Sequence, residues 1–114
     1  KFITAINEYF GIDTKVSLSM DYDLKIEGST EKLVHLCRQA GAKIYMSGPA
    51  AKDYLEERKF EEKGIKVNWM DYSGYLEYEQ LYPPFVHEVS IIDMICNQGV
   101  NSVNFMKSFT GISE

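Results

Sequence analysis

Apolar and polar residues alternate along this chain with two different periods. Apolar side chains recur at helical spacing over residues 2–10, 29–40, 50–63 and 89–98. The two-residue alternation typical of strands occurs over residues 13–19, 43–46 and 65–70. Because helices and strands follow each other in turn, the pattern predicts an α/β fold with a small, mainly parallel sheet flanked by helices.

The clearest helix runs from Ser29 to Ala40. Its apolar residues fall on one stripe, and charged residues occupy the opposite side. Ser29 or Thr30 can cap its start by accepting a backbone N–H bond, and Gly41 can end it in the left-handed conformation. This segment therefore carries its own start and stop signals.

Two other stretches are less regular. We predict a helix over residues 50–63 with a candidate break near Leu55 and an end at Gly64. Residues 71–87 follow neither period, and they hold half of the chain's eight tyrosines. A connection of this length without regular structure is either a functional loop or a cover packed over the core.

The helix predicted over residues 89–98 begins with favourable capping residues. Ser90 can accept a backbone N–H bond, and Asp93, three residues further on, can reach back as a variant of the capping box. A last short helix is predicted over residues 102–109.

Composition argues against several classes of function. The chain has 114 residues, with 12 Lys and Arg against 17 Asp and Glu, for a net charge of −5. This balance offers no basic excess for nucleic-acid phosphates, and no apolar run approaches the roughly 20 residues of a membrane span. We therefore expect no nucleic acid and no membrane among its partners. Cys37 and Cys96 each lie on a predicted apolar helix face, so both are expected to be buried, reduced thiols of a cytoplasmic protein.

One candidate anion site lies where a predicted strand runs into a helix. Ser47 and Gly48 follow the strand over residues 43–46, and ligands of parallel α/β sheets bind beyond the carboxyl ends of strands. Gly48 permits close approach, Ser47 offers a hydroxyl, and Lys52 adds a positive charge to the first helical turn. The alternative is an ordinary strand-to-helix turn with Lys52 in solvent.

A second candidate anion site lies at the start of the helix over residues 29–40. Thr30 supplies a hydroxyl and Lys32 a positive charge beside backbone N–H groups that have no partner within the helix. The alternative is plain N-terminal capping.

Tyr78 and Gln80 are candidates for the lining of a substrate pocket. The tyrosine ring could stack on a sugar or a base, and the Gln80 amide could read polar edges, although such tyrosines also pack on cores with their hydroxyls in water. Ser47, His87 and Asp93 supply the residue types of a hydrolytic triad, but no nucleophile-elbow pattern accompanies them. No metal-binding motif occurs, and the sequence leaves the identity of any cofactor unknown.

Five segments follow one another in a fixed order: Thr30-Glu31-Lys32-Leu33, residues 41–55, residues 64–67, Tyr78-Glu79-Gln80 and residues 90–94. A Tyr-x-Ser-Gly block at residues 45–48 and a Ser-x-x-Asp block at residues 90–93 are the most specific parts. Together they resemble the carboxyl-terminal half of the WbqC-like protein family of bacteria. The resemblance implies that residues 1–114 form either a single α/β domain or a fragment, half of a larger α/β unit in a protein about twice as long.

The resemblance also implies a function. It implies a cytoplasmic transferase of surface-polysaccharide biosynthesis that moves an acyl or aminoacyl group to a sugar, with a small-molecule donor or a nucleotide sugar as substrate. Two alternatives remain open, a non-catalytic binding or assembly module and a nucleotidyl transferase. A homo-oligomer is also open.

Overall fold

The structure is a computed structural model that describes residues 1–107. Contacts between Cα atoms divide the chain into two compact units, Lys1–Asp71 and Tyr72–Glu114. The α-helices and strands are α1 (Phe2–Phe10), α2 (Ser29–Gln39), β1 (Ile44–Ser47), α3 (Glu57–Glu61), β2 (Lys66–Trp69) and α4 (Ile91–Gln98). Within residues 1–107, three short 3-10 helices span Ser19–Asp21, Pro49–Asp53 and Gly99–Phe105.

The two strands of the first unit form a parallel sheet, which confirms the predicted small α/β fold. Ile44 lies opposite Lys66, and Ser47 lies opposite Trp69. Helix α3 packs against β2, and α2 packs against α3. The register brings the carboxyl ends of both strands to the same edge of the sheet.

The strand predicted over residues 13–19 is wrong. Residues 13–18 are irregular, Ser19 begins a 3-10 helix, and Val16 and Leu18 are exposed, at 55% and 59%. Alternation alone does not make a strand, because the backbone also needs a neighbouring strand to pair with. The sheet of the described residues therefore has two strands, where the alternation predicted three.

The core of the first unit is built around Phe60. This side chain is fully buried, and the Tyr45 ring stacks on it with 5.0 Å between the ring centres. Val34, Cys37 and Ile65 are also buried in this cluster. The core therefore joins α2, β1 and α3 through apolar side chains.

The predicted break near Leu55 is confirmed. A 3-10 helix over Pro49–Asp53 precedes the short helix α3, and Leu55, at 8% exposed, anchors the connection in the core. Gly64 then adopts a φ of +71°, a left-handed conformation that ends the helical segment. The buried Leu55 thus lies between two helical segments, where the break was predicted.

The start of α2 differs from its prediction. Gly28, with a φ of +94°, is the cap residue, and neither Ser29 nor Thr30 provides a side-chain cap. A Cβ atom on Gly28 would collide with Glu31 Oε2, because the Glu31 carboxylate folds back over this helix start. Lys59 donates hydrogen bonds to Glu31 and Glu56, which ties α3 to α2 and lowers the pKa of Glu31.

The second unit contains the irregular stretch and α4. Residues 71–87 form neither helix nor strand, as predicted, and Ser90 caps α4 by accepting the Ile92 N–H at 3.1 Å. The 3-10 helix Gly99–Phe105 occupies the start of the helix predicted over residues 102–109, whose end lies outside the described residues.

The two cysteines differ in their surroundings. Cys37 is buried, as expected, and burial raises the pKa of its thiol. Cys96 is exposed, so the prediction of a buried thiol is wrong at this position. Among residues 1–107, no helix has the length and apolar character needed to cross a bilayer.

Candidate functional site

The first unit carries a group of side chains at the carboxyl ends of its two strands. We define the strand-end cluster as Ser47, Gly48, Lys52, Glu57 and Trp69. The Lys52 ammonium lies 5.5 Å from the centre of a Trp69 ring, and the Trp69 indole donates a 2.5 Å hydrogen bond to Glu57 Oε1. The predicted site residues Ser47, Gly48 and Lys52 therefore lie at the same edge of the sheet as an aromatic ring and a carboxylate.

Trp69 and Glu57 were not among the predicted site residues. Trp69 ends β2, so the rule that placed Ser47 at the edge of the sheet applies to it equally. Glu57 gave no such signal, because the first turn of a helix commonly carries an acidic residue. With Lys52 and Glu57 together, the cluster presents both signs of charge.

Thr30 and Lys32 lie at the start of α2. Thr30 is buried, at 3% exposed, whereas Lys32 is exposed. The Glu31 carboxylate already lies at this helix start. Within residues 1–107, no side-chain hydrogen bond or ion pair joins Lys32 to Ser47, Gly48 or Lys52. Anion binding at this helix start stays a prediction.

In the second unit, one carboxylate brings Tyr78 and Gln80 together. The Tyr78 hydroxyl donates to Asp93 Oδ2 at 2.5 Å, and the Gln80 amide donates to the same oxygen at 3.0 Å. Gln80 also accepts the Val86 N–H at 2.8 Å and donates to the Val86 carbonyl at 3.0 Å. The two predicted pocket residues of this loop thus belong to one hydrogen-bonded group.

Asp93 does not act as the predicted helix cap. Its carboxylate accepts bonds from the loop, and the capping side chain of α4 is Ser90. Burial and the bond to Asp93 raise the pKa of Tyr78. The phenol therefore stays protonated at neutral pH and donates its single proton to the hydrogen bond with Asp93. The phenol oxygen can still accept a hydrogen bond from another group.

Tyr78 forms one wall of a cavity of about 270 Å³. Its ring meets Phe85 and Phe105 edge to face, with 5.0 and 5.7 Å between ring centres. We call this space the aromatic cavity. The side chains that line it are mostly aromatic or aliphatic: Tyr72, Tyr75, Leu76, Tyr78, Phe85, His87, Val89, Ser90, Ile91, Met94 and Phe105. Gln80 lines a neighbouring cavity that shares Tyr78 and Phe85 as walls.

Two ionisable side chains, His87 and Lys107, lie against aromatic residues of this cavity. His87 Nε2 lies 3.5 Å from Glu77 Oε1, and the His87 ring meets Phe85 edge to face at 4.6 Å. The Lys107 ammonium lies 4.6 Å from the centre of the Tyr75 ring. The sequence had suggested His87 only as a residue type of a triad, because nothing in the local pattern indicated which side chains it would face.

The described part of the chain, residues 1–107, contains no group of three or more His, Cys, Asp or Glu side chains placed to hold a metal ion.

The family model of the WbqC-like protein family matches residues 1–105. This chain belongs to the WbqC-like protein family. Within it, the chain is similar to the uncharacterized protein Rv1507c of Mycobacterium tuberculosis (strain ATCC 25618 / H37Rv), with 43% identity over 107 residues. The match covers 94% of this chain and 46% of the relative, so the chain spans about half the length of that WbqC-like relative. No solved structure matches the chain.

Proposed function

We propose that this WbqC-like chain is part of a transferase of surface-polysaccharide biosynthesis, which moves an acyl or aminoacyl group to a sugar. Membership of the WbqC-like family supports the proposal, because the resemblance to that family implies a transferase of this kind. The observation that carries it is the hydrogen-bonded group of Tyr78, Gln80 and Asp93 beside the aromatic cavity. A cytoplasmic location remains part of the proposal.

The aromatic cavity has the two properties that a sugar-binding pocket needs. A sugar ring has faces of C–H groups, which pack on aromatic rings, and hydroxyls, which need hydrogen-bonding partners. Tyr78 offers both, because its ring lines the cavity and its oxygen can accept a bond. With about 270 Å³, the cavity is near the lower end of ligand pockets, at about 300 Å³, which favours one sugar ring over a longer saccharide.

For the donor substrate we propose the strand-end cluster. The exposed Lys52 ammonium and the Ser47 hydroxyl suit the acidic part of an activated donor or a nucleotide sugar, and Trp69 offers an aromatic surface. Glu57 restricts the site to ligands that also carry hydrogen-bond donors, because its carboxylate would repel a purely anionic group.

The sugar proposal is tested by saturation-transfer NMR, with glucosamine and UDP-N-acetylglucosamine as probes. We expect Tyr78→Phe to weaken binding about tenfold, which corresponds to the loss of one hydrogen bond to the sugar. Tyr82→Phe is the matched control, since Tyr82 is 79% exposed in the same loop. Equal binding by both variants, or no binding of either probe to the unaltered protein, would contradict the proposal.

A second candidate function is a non-catalytic binding or assembly module, including self-association. It is favoured by Ile44 and Met46 of β1, which are 54% and 50% exposed although parallel sheets are normally covered on both faces. Sedimentation velocity tests it. If β1 joins a second copy, the protein sediments as a dimer and the Ile44→Ser, Met46→Ser variant sediments as a monomer. Identical monomeric boundaries for both proteins would argue against self-association through β1.

A further inference from the structure

The lining of the aromatic cavity includes one imidazole side chain. This side chain is His87, since the other polar residues of the lining are tyrosines and a serine. Its imidazole is held on two sides, by Glu77 at 3.5 Å and by the edge-to-face contact with Phe85 at 4.6 Å. Neither contact involves Tyr78, Gln80 or Asp93, so the hydrogen-bonded group of those residues does not explain the position of His87.

The contact with Glu77 determines which nitrogen of the ring can act as a base. A carboxylate only accepts hydrogen bonds, so the position of Glu77 beside Nε2 favours the tautomer of the neutral imidazole in which Nε2 carries the proton. Nδ1 then keeps the lone pair. A separation of 3.5 Å is long for a hydrogen bond, but pairs of this kind commonly tighten when substrate binds.

The Tyr78 side chain lines the same cavity, and its hydroxyl is bonded to Asp93, which is not one of the lining residues. Because its proton is committed to Asp93, the phenol oxygen can accept a bond from a hydroxyl or amine of a bound sugar. A sugar held in this way presents its nucleophilic group to a cavity that also contains His87. Tyr78 would orient the nucleophile, and the imidazole would be the group able to take its proton.

We propose that His87, positioned by Glu77, is the general base that removes the proton from the accepting hydroxyl or amine of the sugar. This inference rests on the proposed function. As the sugar oxygen or nitrogen forms its bond to the carbonyl carbon of an activated acyl donor, His87 Nδ1 takes the proton. The bond from that carbon to the leaving group then breaks, the leaving group departs with the electron pair, and the imidazolium returns the proton to it.

The experiment uses p-nitrophenyl acetate as acyl donor and glucosamine as acceptor, with N-acetylglucosamine measured by mass spectrometry. We expect His87→Gln to lower the protein-dependent rate about 100-fold, the lower end of what a positioned general base supplies. His35→Gln is the matched control, because His35 is the chain's other histidine and lies on α2 in the first unit. Its rate should equal that of the unaltered protein.

Glu77 is tested as a positioning residue. Glu77→Ala should lower the rate about tenfold, and Glu77→Gln should restore most of it, because the glutamine carbonyl still accepts the Nε2–H. A purely structural contribution from Glu77 would show in the unfolding free energy of both variants, without recovery of the rate by Gln.

Binding and proton transfer are measured separately, so the two proposals fail in different ways. Glucosamine should bind His87→Gln as tightly as it binds the unaltered protein in saturation-transfer NMR. Acetylation that persists in His87→Gln, that falls equally in His35→Gln, or that is absent although glucosamine binds would overturn the role of His87. Absence of glucosamine binding would overturn the proposed function, and the role of His87 with it.

Discussion

Different interactions stabilise each of the two units of this chain internally. The first unit, Lys1–Asp71, has a parallel sheet and an apolar core centred on the fully buried Phe60. The second, from Tyr72 onwards, contains one α-helix of eight residues among its described residues, and its loop is tied to that helix through the Asp93 carboxylate. The first unit therefore depends on packing, whereas the second depends strongly on polar contacts that a ligand can join or replace.

This difference bears on function. Segments with few buried apolar contacts open more readily than a packed core, and ligand-binding loops are drawn from such segments. The aromatic cavity lies entirely within the second unit. We therefore expect changes in the core of the first unit to lower the stability of that unit as a whole, and changes around Asp93 to act mainly on the loop of the second unit. The following predictions test that division.

The largest effect is expected from Phe60→Ala. Removing a fully buried phenylalanine should lower the free energy of unfolding by about 3–5 kcal/mol, because it leaves a cavity in the core of the first unit. Urea denaturation followed by circular dichroism measures the loss. Phe2→Ala is the control, since Phe2 is 62% exposed and its loss should be within about 0.5 kcal/mol. Equal losses for both variants would place the core elsewhere.

Asp93→Ala addresses the second unit. Without the carboxylate, the Tyr78 hydroxyl and the Gln80 amide lose their common acceptor. We therefore expect the free energy of unfolding to fall by about 2 kcal/mol. Hydrogen exchange should become faster over residues 78–86 and stay unchanged around Phe60. The exposed Asp53 provides the control substitution Asp53→Ala. Unchanged exchange in the loop would show that Asp93 does not hold it.

Gly28→Ala tests the junction between α2 and α3 in the first unit. An alanine there adopts the φ of +94° with strain, and its Cβ displaces the Glu31 carboxylate that receives the Lys59 bond. We expect the free energy of unfolding, measured by thermal or urea unfolding, to fall by about 1–2 kcal/mol. Gly11→Ala is the matched control, because Gly11 also has a positive φ, of +67°, but has open space around its Cβ position. It should lose less than Gly28→Ala.

The smallest effect is the pH dependence linked to Tyr78. Burial, followed by the bond to Asp93, raises the pKa of this phenol above that in the unfolded chain, which is about 10 for tyrosine. The stabilisation is therefore complete below pH 10 and is lost as the pH rises through the folded pKa. Unfolding at pH 8 to 11 should show a steeper alkaline decline for the unaltered protein than for Tyr78→Phe. Tyr82→Phe should follow the unaltered protein.

Much of the first unit could be predicted from its sequence. The helices α1 and α2, both strands and the break near Leu55 follow from periodicity and from glycine at the helix ends. The strand predicted over residues 13–19 failed because the pattern describes one segment, whereas a strand also depends on a partner. The cap at Gly28 was missed because Ser29 and Thr30 offered the better local signal.

The candidate sites were predictable only in part. Ser47, Gly48 and Lys52 follow from the rule for strand ends, and Trp69 could have followed from the same rule. Tyr78 and Gln80 were found from composition, but their meeting at Asp93 was not. Asp93 lies 15 positions after Tyr78 and 13 positions after Gln80, across an irregular loop. No period in the sequence encodes contacts of this kind.

The placement of Trp69 has a practical consequence. It is the chain's one tryptophan, so the indole fluorescence of the protein comes from the strand-end cluster alone. Its hydrogen bond to Glu57 and the nearby Lys52 ammonium set the electric field on the ring, and any ligand that displaces either group shifts the emission. The molecule thus contains an optical reporter for donor binding in the first unit, and that reporter needs no added label.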